Sequence, residues 1–260
     1  MSERDPVVLV EDVGSVRVLT LNRPNLRNAI DLELRAVLAD SLEVAGGDVA
    51  VRSIVVAGAG GAFCSGGDIR TMSRAPSHAT VGRAQAAQRV IRAIWTTPKP
   101  VIAAVEGPAF GAGAALALAC DRIVASSDAT FALTFTKVGL AGDMGVFASL
   151  PARVGHARAR QMLMLPEPMS GADAGATGLV DRVVEPGEAL AAALSDAQRL
   201  ADGPPLALGV IKAMTSGENH HPLAVLELEV RNQVGLWDTD DFAEGVAAFH
   251  DTRPARFRGE

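Results

Sequence analysis

Cysteine is scarce in this chain, with only Cys64 and Cys120 among 260 residues. Two thiols cannot form a disulfide framework, and so few in a chain of this length point to a reducing compartment. Basic charge is not in excess either: 24 Lys and Arg stand against 30 Asp and Glu, a net charge of −6. That balance argues against nucleic acid as the main partner, because phosphate neutralisation needs a basic face. Long apolar runs are missing too. The longest stretch without charge covers residues 53–67, 15 in all and rich in glycine, whereas about 20 apolar residues are needed to cross a bilayer. The start, Met1-Ser2-Glu3-Arg4-Asp5-Pro6, is charged and has no apolar stretch behind it, so no signal peptide is predicted. The expectation is a cytoplasmic protein with no membrane or nucleic-acid partner. What is present is an ordinary globular composition, 48% apolar and 21% charged, with length enough for a real core.

Val16, Val18 and Thr20 alternate after Val7, Val8 and Val10, with Gly14-Ser15 between, which reads as an antiparallel hairpin. The period then changes. Leu34, Val37, Leu38, Leu42 and Ala45 share one helix face, Asp31 is placed to cap it and Gly46-Gly47 to end it. Ile54 to Ala57 is a short buried strand, Ala87 to Trp95 a helix, Val101 to Val105 a strand, Ala112 to Ala119 a helix and Arg122 to Ala125 a strand. A further strand is predicted near Leu179 to Val184. Alternating strands and helices indicate an α/β body with covered sheets. Beyond about residue 200 only helices are predicted: Leu206 to Met214, Ala224 to Leu236 and Phe242 to Phe249. A turn at Ser216-Gly217 separates the first two, and Arg253 to Phe257 reads as a terminal arm. The chain therefore divides into a core, 1–200, and a helical region, 201–260. Thr71 to Val81 reads as a mobile loop of the kind that carries specificity.

Two strands run into glycine-rich turns that open helices: Val55 through Ile69, and Val105 through Leu116. Glycine lets backbone approach a ligand, and a helix N-terminus offers unpaired N–H donors. Three familiar motifs fail on the letters. A P-loop needs Gly-Lys-Ser/Thr, but Gly67-Asp68 follows Gly66. The third glycine of a dinucleotide fingerprint is replaced by Phe63 or Leu116. A nucleophile elbow at Ser65 would need glycine where Phe63 stands. The remaining use is as amide donors to a developing oxyanion, one from each turn.

Ala62-Phe63-Cys64-Ser65-Gly66-Gly67-Asp68-Ile69 resembles the first oxyanion segment of the crotonase (enoyl-CoA hydratase/isomerase) family. Lys99 through Ala117, with Cys120-Asp121, resembles its second. Leu21-Asn22-Arg23-Pro24, Asn28-Ala29, Gly178-Leu179-Val180-Asp181 and the segment Phe242 to Phe249 resemble further family motifs in the same order. The resemblance implies a spiral of strand–strand–helix (ββα) units with a C-terminal helical trimerisation region, a homotrimer or hexamer, and an acyl-coenzyme A thioester as substrate. It implies no cofactor beyond the coenzyme A of that substrate. It places the oxyanion donors at the N–H groups of Gly67 and Ala112, where alanine replaces the family's usual glycine but keeps the donor. It places the adenine and pantetheine end near Leu26, Arg27, Ala62, Ser65, Asp68 and Ile69, with Lys212 toward a phosphate. Asp68 equally fits an N-cap, and Arg27 and Lys212 equally fit solvated side chains.

Hydratases of that family use two glutamates. Ala115 and Phe135 stand at those positions, and neither can move a proton. One acid remains, Asp143, eight positions beyond Phe135 in Val138-Gly139-Leu140-Ala141-Gly142-Asp143-Met144-Gly145. That segment resembles the one carrying the catalytic aspartate of dienoyl-CoA isomerases, ring-epoxide isomerases and aromatic dehalogenases. Burial among Leu140, Met144 and Phe147 would raise its pKa toward that of a useful base. The local sequence also fits an aspartate capping a helix after Gly142. The implied activity is double-bond migration in an enoyl-CoA. The alternatives are a hydratase using Asp143 or Glu106, and an acyl-CoA-binding scaffold without turnover. Met72, Trp95, Phe110, Phe135, Leu140 and Phe147 are predicted to wall an apolar acyl pocket. His220-His221 lacks a third ligand at metal spacing, so no metal is predicted; His156 is expected at a cap or facing solvent, and Cys64 as a packed thiol.

Overall fold

The computed structural model describes residues 5–216 and 221–260. Met1 to Arg4, Gly217 of the predicted turn and His220 lie outside them. The hairpin is present: β1 (Val8–Val13) and β2 (Val16–Leu21) pair antiparallel with Val13 opposite Val16. From β2 the sheet continues in parallel through β3 (Ser53–Gly58) and β4 (Val101–Val105). A short strand, β5 (Pro108–Phe110), leaves for a second sheet. The first sheet resumes at β6 (Arg122–Ser126), and β7 (Thr130–Ala132) and β8 (Met169–Ser170) complete the second. With β9 (Arg182–Val184) the six-stranded sheet has the order β1-β2-β3-β4-β6-β9, and the three-stranded one β5-β7-β8.

Strand residues of the large sheet are buried on both faces, and the two faces feed different cores. Leu19, Leu21, Ile54, Val56, Val101 and Ala103 belong to the larger core, whereas Val16, Val18, Val55, Ala57, Ile102 and Ala104 belong to the smaller. This is period-two alternation in a covered sheet. Over the larger core lie α1 (Leu32–Gly47), α2 (Ser77–Thr96) and α3 (Ala112–Ala119), followed by α4 (Val146–Met164) and the short α5 (Gly171–Ala176). The smaller core is closed by α6 (Ala189–Ala201) through Ala192, Ala193, Ala197 and Ala201. Asp31 caps α1 as predicted, accepting from Leu34 N at 2.8 Å.

The predicted C-terminal helices are α7 (Pro205–Ser216), α8 (Pro222–Trp237) and α9 (Asp240–His250). The terminal arm folds back on α9 and the body. Arg253 pairs with Glu244, Asp241 accepts from Gly259 N at 2.9 Å, and Arg52 donates to Phe257 O at 2.7 Å. Among the described residues no helix is long and apolar enough to cross a membrane.

Two expectations need correction, and one helix went unpredicted. Ser77 to Val81, read as loop, are the opening turns of α2. The strand near Leu179 shrinks to Arg182–Val184, with Leu179 and Val180 buried ahead of it. The segment from Val146 to Met164 is a helix, although Pro151 and the non-helical Gly155 interrupt its pattern.

Gly113, the second residue of α3, marks a close approach between the two glycine-rich turns. A methyl group there would lie 2.3 Å from Cys64 O. Gly113→Ala is therefore expected to cost roughly 1–3 kcal/mol, the usual penalty of overpacking. Urea unfolding measures it, and an unchanged midpoint would contradict so close an approach.

Candidate functional site

The two glycine-rich turns run side by side. Phe63 N donates to Glu106 O at 2.7 Å, Cys64 N to Pro108 O at 2.9 Å and Phe110 N to Cys64 O at 2.9 Å. Cys64 faces Ala109 in parallel register, and beyond that bridge Gly66 lies against the start of α3, where a side chain on it would come 3.8 Å from Ala112 N. The approach requires glycine at position 66, whose φ is +102° and where a side chain would meet Phe110 O at 2.8 Å. Ile30 N bonds Gly66 O and Asp68 N bonds Ile30 O, at 2.7 and 2.9 Å. These bonds use the groups on either side of the Gly67 amide and leave that amide out. Ala112 is the first residue of α3, so its N–H has no partner within the helix. Among the described residues neither amide donates to a protein acceptor.

Asn28 pins the first turn from below. It is fully buried with φ +56°, and its side chain donates to Ala59 O and Ala62 O at 2.9 and 2.7 Å. The predicted binding residues collect around this turn. Ser65 N bonds Arg27 O at 2.8 Å, Ser65 Oγ bonds Leu26 O at 3.2 Å, Ala62 is buried and Ile69 is exposed. Asp68 is buried in the same place and takes the capping role: it accepts from Arg70 N and pairs with Arg70 at 2.8 Å and Arg23 at 3.2 Å. The Arg70 bonds, with Arg23 behind them, outweigh desolvation and hold its carboxyl at about 2. At the second turn, Phe135 is buried against Gly111, Phe110 flanks Gly66, and Leu140 N bonds Phe135 O at 3.1 Å. Met72 lies over Gly67.

Other predicted residues stand elsewhere. Lys212 is buried, paired with Asp121 at 2.7 Å and bonded to Lys99 O at 2.9 Å. With Trp95 it lines a cavity of about 770 Å³ beside Leu118 to Asp121, at the end of α3 opposite Ala112. Its ammonium is committed to Asp121 and Lys99, which corrects the reading of Lys212 as a solvated side chain. Glu106 accepts from Gly187 N and Ala189 N at 3.2 and 2.8 Å and so caps α6, which removes it as a second acid. Cys64 is a packed thiol pushed up to about 12 by burial. His156 is exposed on α4, just after the kink.

Asp143 does not cap a helix. Gly145 takes the N-cap position of α4 with no side-chain bond. The carboxylate instead faces Arg35, which reaches it from α1 with Nη2 3.4 Å from Oδ2. Oδ1 is shut off from solvent and has no partner among the described residues. Desolvation pushes the Asp143 carboxyl up, against the opposing pull of Arg35 and then Arg83. Arg35 was not visible as a site residue in the sequence. Its one signal there is a charge next to the apolar stripe of α1.

The enoyl-CoA hydratase/isomerase family model matches residues 11–260. The 1,2-epoxyphenylacetyl-CoA isomerase of Escherichia coli (strain K12) is 35% identical over 250 residues, covering 94% of this chain and 95% of its own. The mitochondrial methylglutaconyl-CoA hydratase of Homo sapiens is 31% identical over 258 residues, covering 97% of this chain and 76% of its own. The crystal structure of an enoyl-CoA hydratase from Polaromonas sp. JS666 matches with a TM-score of 0.92 at 35% identity, over 96% of this chain and 99% of that one.

Asp68 yields a pH test. Its folded pKa, about 2, lies below the ordinary 3.8. Its contribution to stability is therefore complete above the ordinary value and is lost as pH falls through 3.8 toward about 2. Asp68→Asn is expected to be less stable than the parent at pH 6, with the gap closing at acid pH. Urea midpoints across that range check it, and a gap independent of pH would contradict the ion pairs.

Proposed function

The chain belongs to the enoyl-CoA hydratase/isomerase (crotonase) family, and from that premise we propose that this acyl-CoA enzyme migrates a double bond in an enoyl-CoA. The observation that carries the reading is the pair of unspent amides, Gly67 and Ala112, one on each of two adjoining turns. A thioester oxygen seated on both would gain charge as its α-carbon loses a proton. One such donor is typically worth about 2.7–4 kcal/mol in a transition state. Asp143 takes the α-proton of a 3-enoyl-CoA, and the electron pair moves into a dienolate whose oxygen the two amides hold. The same carboxyl then returns the proton to the γ-carbon, and the 2-enoyl-CoA leaves. No water is consumed. The non-titrating Ala115 and Phe135, both buried, support a single-acid reaction. So does the likeness to a protein named as an isomerase.

The hydratase names among the relatives favour a second reading. Asp143 would there activate water, since Glu106 is occupied by the amides that open α6. Self-association is part of the proposal as well. Leu223, Leu226, Val230, Val234 and Trp237 are exposed along one face of α8, near Phe242, Val246 and Phe249 of α9, and this face supports a trimer built through the C-terminal helices.

Product analysis separates the readings. Isomerisation of a 3-enoyl-CoA creates conjugated absorbance, whereas hydration of a 2-enoyl-CoA destroys it. Asp143→Asn is expected to lower isomerase turnover by roughly 10²–10⁴-fold, the usual worth of a positioned base, while acyl-CoA binding is retained. Undiminished turnover in that variant would refute the assignment.

A further inference from the structure

Arg35 is anomalous in its setting. It sits on the buried face of α1 with Leu34, Leu38, Ala39, Leu42 and Ala45, and only 2% of its side chain is exposed. Removing a guanidinium from water costs several kcal/mol, and an apolar residue of similar volume usually serves stability as well or better. The charge has a definite use of its bonds here. Nη2 faces Asp143 Oδ2 at 3.4 Å, and Nη1 donates to the backbone oxygen of Arg83 on α2 at 2.9 Å. One side chain thus ties the loop before α4 to two helices. The Nε of Arg35, the Nη2 of Arg83 and the Oδ1 of Asp143 are all buried without partners among the described residues.

We propose that Arg35 is a positioning residue: its guanidinium fixes the carboxylate of Asp143 through Oδ2 and keeps it charged although its other oxygen is shut off from solvent. The proposal rests on Asp143 acting as the base, as argued above. The groups that share the electrostatics of Arg35 are Asp143, Arg83, Cys64 and Asp31. Cys64 is neutral at ordinary pH because burial pushes its thiol up to about 12. Asp31 is engaged by Arg23 at 2.9 Å. Asp143 itself is 42% exposed as a side chain while its Oδ1 is shut in. Burial alone therefore favours its protonated form, and two arginines oppose that tendency. Loss of Arg35 removes the nearer of them.

The test uses Arg35→Met and Arg35→Lys in the full chain, with Asp143→Asn alongside. The first readout needs no turnover: carboxyl NMR of protein labelled with [4-13C]aspartate follows the Asp143 titration, the signal being assigned by its absence in Asp143→Asn. Arg35→Met is expected to move that titration to higher pH by roughly one pH unit, the lower end of what an adjacent opposite charge supplies. Arg35→Lys should stay near the parent. The second readout is the pH–rate profile. The acid limb of kcat should move in the same direction in Arg35→Met, and kcat should fall roughly 10–10²-fold, as expected for a misplaced base, with KM nearly unchanged. Arg35→Lys should recover part of the loss. Urea midpoints confirm that the variants fold. An unmoved titration in folded Arg35→Met, or a lysine variant no better than methionine, would overturn the proposal. Full turnover in Asp143→Asn would instead overturn the base assignment and leave the NMR result standing as a test of the ion pair.

Discussion

The parallel backbone contact between the two glycine-rich turns is the constraint from which the site follows. Three hydrogen bonds, from Phe63, Cys64 and Phe110, set the turns side by side, with Gly67 on one and Ala112 on the other. A main-chain donor held in this way needs no rearrangement when charge develops in front of it. It is also indifferent to the side chain that follows, so alanine at position 112 serves where glycine would. The contact is tight because Gly66 and Gly113 leave no side-chain bulk between the turns.

Charge around this contact is mostly spent on the fold. Asp68 is saturated by two arginines, Glu106 by the amides that open α6, and Lys212 by Asp121. Asp143 differs. Among the described residues it has a single long ion pair and one unpartnered oxygen, and its carboxyl is raised by desolvation. A carboxylate poised between burial and a guanidinium can both take and release a proton.

Much of the body was legible because its patterns are strong. The hairpin alternates and α1 carries a helical stripe, while β3, β4 and α3 are short uncharged runs buried nearly throughout. Other elements were hidden for physical reasons. Pro151 and Gly155 break the pattern of α4, and α6 buries little but alanine, which contrasts weakly with its neighbours. Strands of two or three residues such as β5, β7 and β8 are too short to show a period. At the site the two glycine-rich turns and the isolated acid were visible in the letters. The ion pair was not, because Arg35 and Asp143 are 108 positions apart. Distance along the chain likewise hid Glu106 reaching α6, and the partner of Lys212 is fixed only by the packing of α7.

Polarisation of the thioester by the two amides is tested most directly by the infrared stretch of a 13C-labelled thioester carbonyl bound to the protein. Ala112→Pro is the informative variant, because proline suits the first position of a helix and puts a ring methylene where the N–H was. The account predicts a carbonyl band moved to lower frequency on binding to the parent, and moved less in Ala112→Pro. A band at the same frequency in both proteins would contradict it.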